Sequence, residues 1–370
     1  MRLYMSGTPR NDVLQPLENR LCDYRLFSLH GDYARTCLQW AKDIKNEVFT
    51  VDKWLKGHPN FLNCENDERR EERKKLVAIA QRTDGNVRDG HEYPQFIMLD
   101  SGAFTGWNQG HPVTIEEVFK QYDAFMELAG DKFEQIWMIN LDVIPGERGR
   151  DPTPDEIKQA IETSDKNYAI LEAKYGERIL PVFHQGEDRD RLHDCAAMVD
   201  GKSDYICVSP RNDVAEVHRV RWSEEYHAYL HDEYPFCRTH GLATTGVEMI
   251  RRVPWYSGDS AAWVQHGGFG MIDVVHESAM GGSARYKNYF ITSGHGHDRT
   301  LGKHVKNLND QDMSVVKERV QRYGFTLDEL AKEKGGSRLR NLVCMGEIAA
   351  YADWSEQTTH TRLAVQDMFA

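Results

Sequence analysis

Asp100, Asp142 and Asp259 each follow a short apolar run, Phe96 to Leu99, Ile136 to Leu141 and Val253 to Tyr256. A carboxylate at the C-terminal end of a strand sits where α/β barrels do their chemistry, as acid, base or hydrogen-bond acceptor. Asp100 opens Asp100-Ser101-Gly102, a small flexible turn in which backbone N–H groups and a carboxylate can meet a ligand together. Asp142 can accept two hydrogen bonds from the amidine-like edge of a planar base, and Gln185 offers that base a donor and an acceptor. Asp259 lies between Gly258 and Ser260, so little bulk obstructs its carboxylate. Each residue also has a plain structural use: Asp100 and Asp259 as helix caps, Asp142 as a turn former, Gln185 as a solvated loop amide. Ser209 is another rim position or a turn residue before Pro210, and His184 a hydrogen-bonded core residue.

Eight strand candidates would position these groups: Leu3 to Met5, Arg25 to Leu29, Phe96 to Leu99, Ile136 to Leu141, Ile179 to His184, Tyr205 to Val208, Phe236 to Leu242 and Val253 to Tyr256. Most are followed by an amphipathic helical stretch, which implies parallel pairing, and eight such units imply a closed (β/α)8 TIM-like barrel. Thr114 and Glu117 form a capping-box pattern ahead of Ile115, Val118, Phe119 and Tyr122, and Pro154 starts a second helix that runs toward Gly176. The barrel is expected over residues 1–280, with a charged insertion at about 47–94 read as an exposed helix with a Glu71–Lys75 ion pair. Residues 281–370 read as a helical, basic extension, from the patterns Val315-Val316-Arg319-Val320-Tyr323 and Leu327-Leu330-Ala331.

The net charge of −12 argues against broad nucleic-acid affinity, but residues 281–340 hold 12 Lys and Arg against 7 Asp and Glu. Arg285, Lys287, Lys303, Lys306, Arg338 and Arg340 are therefore the candidates for gripping phosphates. The seven scattered cysteines contain no pair at two-residue spacing, which speaks against a disulfide framework and a zinc ribbon. Cys207 reads as a small core hydrophobe. Cys237, His240, His295, His297 and His304 have no standard ligand spacing, and neither metal nor cofactor is expected. No apolar stretch is long enough for a membrane helix, and the first residues do not form a secretory signal, so a cytoplasmic protein is expected.

In order and type, these motifs resemble the tRNA-guanine transglycosylase superfamily, and within it the DNA-guanine transglycosylases that place 7-deazaguanine in DNA. The resemblance covers about residues 96–270. It implies that Asp100-Ser101-Gly102 is the family's DSG turn, that Asp142 and Gln185 read the base, and that Asp259 is the nucleophile. His240-Gly241-Leu242 resembles the strand end beside the base, so Ser101, Ser209, His240 and Gly241 join the expected pocket. The tRNA enzymes carry a CxCxxC zinc cluster with a downstream His, which is missing here, and a glycine pair where this chain has Ser209-Pro210. Both departures favour the DNA branch.

The implied chemistry is attack of Asp259 on the anomeric carbon of a deoxyguanosine, with Asp100 taking the proton of the incoming base. DNA must then present a flipped or single-stranded base. DNA and a 7-deazaguanine base are the expected partners, and a protein of a modification system is a further candidate. The alternatives are the same exchange on tRNA, an N-glycoside hydrolase in which water replaces the incoming base, and a non-catalytic nucleic-acid-binding subunit.

Overall fold

The computed structural model describes all residues except 65, 86–90, 147–149, 212, 245, 278–283, 293–301 and 368–370, together with the backbone alone of 356–367. His295 and His297 lie outside the described residues. The chain divides into two compact units, one of residues 1–8, 24–42 and 95–260, the other of 9–23, 43–94 and 261–370. The first unit ends at residue 260, and residues 43–94 fall in the second unit with the C-terminal segment.

The first unit is a parallel α/β barrel. Its strands are β1 (Arg2–Ser6), β2 (Tyr24–Ser28), β3 (Phe96–Asp100), β4 (Gln135–Ile139), β5 (Ile179–Leu180), β6 (Val182–His184), β7 (Tyr205–Ser209), β8 (Arg238–Gly241) and β9 (Ser257–Ser260). They pair in the order β5-β4-β3-β2-β1-β9-β8-β7-β6. The two ends of this row are halves of one apolar run broken by Pro181, which has no N–H to donate. Ile179 and Leu180 pair with β4, Val182 to His184 pair with β7, and the Pro181 carbonyl accepts from Cys207 N–H at 2.9 Å. One strand thereby joins both sides, and the ring closes.

Seven strand expectations hold to within about two residues at each end, and the eighth is displaced. Val253 to Tyr256 is a connector, and the strand is Ser257–Ser260, so Asp259 lies within a strand rather than after one. Pro254 is a poor ladder residue, whereas Ser257 and Gly258 keep their N–H groups and pair with both β1 and β8.

Side chains alternate across a strand, and this periodicity decides what faces the barrel axis. The interior is packed with Tyr4, Leu26, Met98, Ile139, Leu180, Val182, Tyr205 and Cys207. Two residues onward from Met98, Val182 and Cys207 come Asp100, His184 and Ser209, so an apolar interior ends in a polar layer at the C-terminal mouth.

Outer helices hold that layer in place. Helix Ile115–Ala129 starts at the expected Thr114–Glu117 capping box and buries Val118, Tyr122, Phe125 and Ala129. Its Tyr122 hydroxyl lies 3.1 Å from Leu99 O and 2.8 Å from Ile139 O, tying the ends of β3 and β4. Helix Pro154–Tyr175 has a second capping box, Thr153–Glu156, and ends at Gly176, as expected.

In the second unit, helices Asp310–Arg322 and Leu327–Ala331 fall on the expected patterns, and a long helix covers Gly336–Asp367. An antiparallel pair, β10 (Met271–Glu277) and β11 (Ala284–Phe290), precedes these helices. Its run Ile272-Asp273-Val274-Val275 is buried throughout, so it shows no two-residue alternation to mark it. Helix Asp67–Thr83 lies in the charged insertion, with Glu71 paired to Lys74 at 2.9 Å rather than to Lys75, and it buries Leu76, Ala80 and Thr83. All seven cysteines are free, and Cys207 is fully buried. No described helix is long and apolar enough to cross a membrane.

Candidate active site

Asp100 ends β3, and the turn behind it demands glycine. Gly102 has φ of +82°, and a Cβ there would lie 2.5 Å from the His30 Cβ. The following helix, Ala103–Gln109, takes Gly102 as its N-cap without a side-chain cap, and the Asp100 carboxylate accepts from the Gly102 N–H. Burial, reinforced by the negative charges of Asp142 and Asp259, pushes the Asp100 carboxyl up to about 6. Asp142 and Asp259 are thus close enough for their charges to act on Asp100. Ser101 is placed differently from the expected base contact: it is buried and its hydroxyl donates to Asn140 O at 3.1 Å, bracing β3 against β4.

Asp142 follows β4 in an irregular segment pinned by helix Pro154–Tyr175. Asn140 Nδ2 donates to Ser164 O at 2.9 Å, Val143 N–H to Ser164 Oγ at 2.8 Å, and Asn167 Nδ2 to Leu141 O at 2.8 Å. Asp142 is itself buried and pairs with His184 Nε2 at 2.8 Å, so it is no simple turn former. Burial alone would lower the His184 imidazole, but the hydrogen bond and charge of Asp142, with Glu187, outweigh it and raise the pKa. Glu187, pushed up by burial, accepts from the His184 N–H at 3.0 Å. His184 thus holds Asp142 in orientation, a role that chain order did not reveal.

Gln185 sits at the rim with Oε1 accepting from Arg211 N–H at 2.9 Å. Ser209 ends β7 half-buried, and its hydroxyl has no hydrogen-bond partner among the described residues. Phe104, half-exposed in the first turn after Gly102, presents an aromatic face that the motif reading passed over.

Asp259 is 8% exposed. Its Oδ1 accepts from Ala243 N–H at 2.8 Å and lies 3.5 Å from His240 Nε2, while Oδ2 has no partner among the described residues. The next helix, Ala262–Gly268, has no side-chain cap, so Asp259 does not cap it. Ala243 adopts φ of +53°, a left-handed conformation that costs a non-glycine residue about 1–2 kcal/mol. Strain of this kind, held in a turn that aims an N–H at a carboxylate, is a mark of functional sites.

The turn is clamped by Thr244, which is fully buried and donates to Gly241 O at 2.8 Å. A Cβ on Gly241 would lie 2.2 Å from Thr244 Oγ1, so the glycine makes room for this threonine. Gly241→Ala is expected to destabilise the protein by about 1–3 kcal/mol and to displace Ala243 from Asp259. Chemical denaturation beside an activity assay checks both effects. His240 is buried behind Asp259, with Nδ1 2.6 Å from Ser257 Oγ, which in turn bonds the Tyr205 hydroxyl. Its Nε2 makes no hydrogen bond among the described residues, and the fully buried ring presents no surface to a base.

Among the expected phosphate contacts, Arg285, Lys303 and Lys306 are exposed, Lys287 lies 3.6 Å from Asp312, and Arg338 lies 3.8 Å from Asp12. Arg340 is corrected. It is 2% exposed and donates to the carbonyls of Gly267, Leu330 and Lys332 at 2.7, 2.6 and 3.0 Å, because a buried guanidinium must have its N–H groups satisfied. Among the described residues, no cluster of three or more His, Cys, Asp or Glu side chains is arranged to hold a metal ion. Neither models of known protein families nor characterised proteins match this chain.

Proposed function

We propose that the barrel mouth exchanges guanine in DNA for a 7-deazaguanine base through a covalent intermediate on Asp259. The observation that carries this reading is the asymmetry of the three acids. Asp259 has one oxygen held and one open, Asp142 is oriented by His184, and Asp100 has a carboxyl raised to about 6. Those are the needs of a nucleophile, a base-edge acceptor and a proton acceptor.

Oδ2 of Asp259 attacks C1′ of the target nucleoside, the glycosidic bond breaks, and guanine leaves with the bonding electrons and takes a proton from water. The cationic sugar of the transition state is stabilised by the surrounding carboxylates, as in retaining glycosidases. Asp142 and Gln185 hold the base edge, and Phe104 offers it a face. The incoming base then attacks C1′ through its ring nitrogen, loses that proton to Asp100 and releases Asp259. The basic residues Arg285, Lys303 and Lys306 supply phosphate contacts, and the same reading takes the protein to be cytoplasmic.

Nucleoside mass spectrometry of DNA and of tRNA incubated with the protein and a 7-deazaguanine base tests the proposal. Incorporation into DNA supports it. Incorporation only into tRNA, or release of guanine without incorporation, would replace it with the corresponding rival.

A further inference from the structure

A cavity of about 350 Å³ in the second unit is lined by Asn11, Trp54, His58, Asn60, Phe61 and Arg73. A second, of about 290 Å³, is lined by Arg69, Glu72, Arg73 and Arg338, so Arg73 belongs to both. The first has a wall of planar rings. Helix Val51–Gly57 buries Trp54, whose Nε1 donates to Gln15 Oε1 at 2.6 Å, and the chain then turns to stack His58 on it at 4.1 Å and 10°. Phe61 meets Trp54 edge-on at 5.1 Å, and the Arg73 guanidinium lies over the Phe61 ring at 5.0 Å while donating to Phe61 O at 2.5 Å.

The second cavity gathers three guanidinium groups around one carboxylate, Glu72. Arg69 is exposed and forms no ion pair among the described residues, and Arg338 is held only loosely, 3.8 Å from Asp12. Such an excess of forked donors matches a phosphate. Flat aromatic walls beside it match a base, since every base has a π-face to stack.

We propose that these two cavities, which share Arg73, together bind one nucleotide unit, with its base against Phe61 and His58 and its phosphate among Arg69, Arg73 and Arg338. The charged insertion, read from sequence as a solvated helix, supplies two of the three arginines. The unit is either a free nucleotide or one link of a single-stranded polynucleotide, and the site does not depend on base exchange at the barrel.

Binding of the full chain to a fluorescent dT10 oligonucleotide, by anisotropy across a salt series, and to dTMP, by calorimetry, tests the proposal. The Asp259→Asn protein is measured in parallel, so binding is scored independently of catalysis. Arg69→Ala and Arg338→Ala remove side chains with little burial, and unchanged thermal unfolding confirms that they fold. Each is expected to weaken dT10 binding about 5–10-fold and to lower the salt slope by about one. Phe61→Leu is expected to weaken it about fivefold or more while keeping the slope. Binding of dTMP identifies a free-nucleotide site, and binding of dT10 alone identifies a polymer site. The proposal is overturned if the wild-type protein binds neither, or if a variant combining Arg69→Ala and Arg338→Ala keeps wild-type affinity and slope.

Discussion

Asp259→Asn is expected to lower base exchange by roughly 10³-fold or more, because a neutral amide cannot form the sugar ester on which the proposed mechanism turns. The substitution is a sharp test, since the surroundings leave the new side chain little reason to move. Its oxygen can still accept from Ala243 N–H, which lies 2.8 Å from Oδ1 in the native protein, and the site is buried. A loss of activity without a loss of stability therefore reports on charge rather than on packing. Intact-protein mass spectrometry after mixing with oligonucleotide should show an adduct in the wild type and none in the variant. Exchange at an undiminished rate would remove the covalent step.

Asp100→Asn should separate activity from stability in opposite directions. In the folded protein burial holds this carboxyl at about 6, above its ordinary value of 3.8, with Asp142 and Asp259 adding to the shift. Between about pH 4 and 6 the native state retains a proton that the unfolded chain has lost, so stability falls as pH rises through that window and stays lower above it. The ionised form at pH 8 is opposed by at most about 3 kcal/mol, less where solvent reaches the rim. Asn at this position removes that burden, and the variant is expected to unfold at higher temperature than the wild type at pH 8 but not at pH 4. Exchange, meanwhile, should drop about 10²-fold with loss of the proton acceptor. In the wild type the rate should decline as pH falls below about 6, and this limb should be absent from the residual rate of the variant. An unchanged pH profile would assign the proton to another group.

Much of the barrel is legible along the chain because its signals are local. Apolar runs of strand length, the Thr114–Glu117 capping box, Pro154 at a helix start and Gly176 at its end depend on neighbours within a few residues. The candidate acids are legible for the same reason, since each lies at or near a strand end. The displaced β9 shows the limit. Ser257-Gly258-Asp259-Ser260 has no apolar signature, and pairing with β1 and β8 makes it a strand.

The partners of the acids were beyond the reach of chain order. His184 reaches Asp142 across 42 positions, and Ala243 turns its N–H to Asp259 in a turn where Thr244 fills the space beside Gly241. Arg340 has the charge of a phosphate ligand, yet the carbonyls of Gly267, Leu330 and Lys332 enclose it. Residue type tells which groups can carry charge, donate or attack. Burial and long-range pairing decide which of them do, because the free energy of a charge depends on what replaces its water.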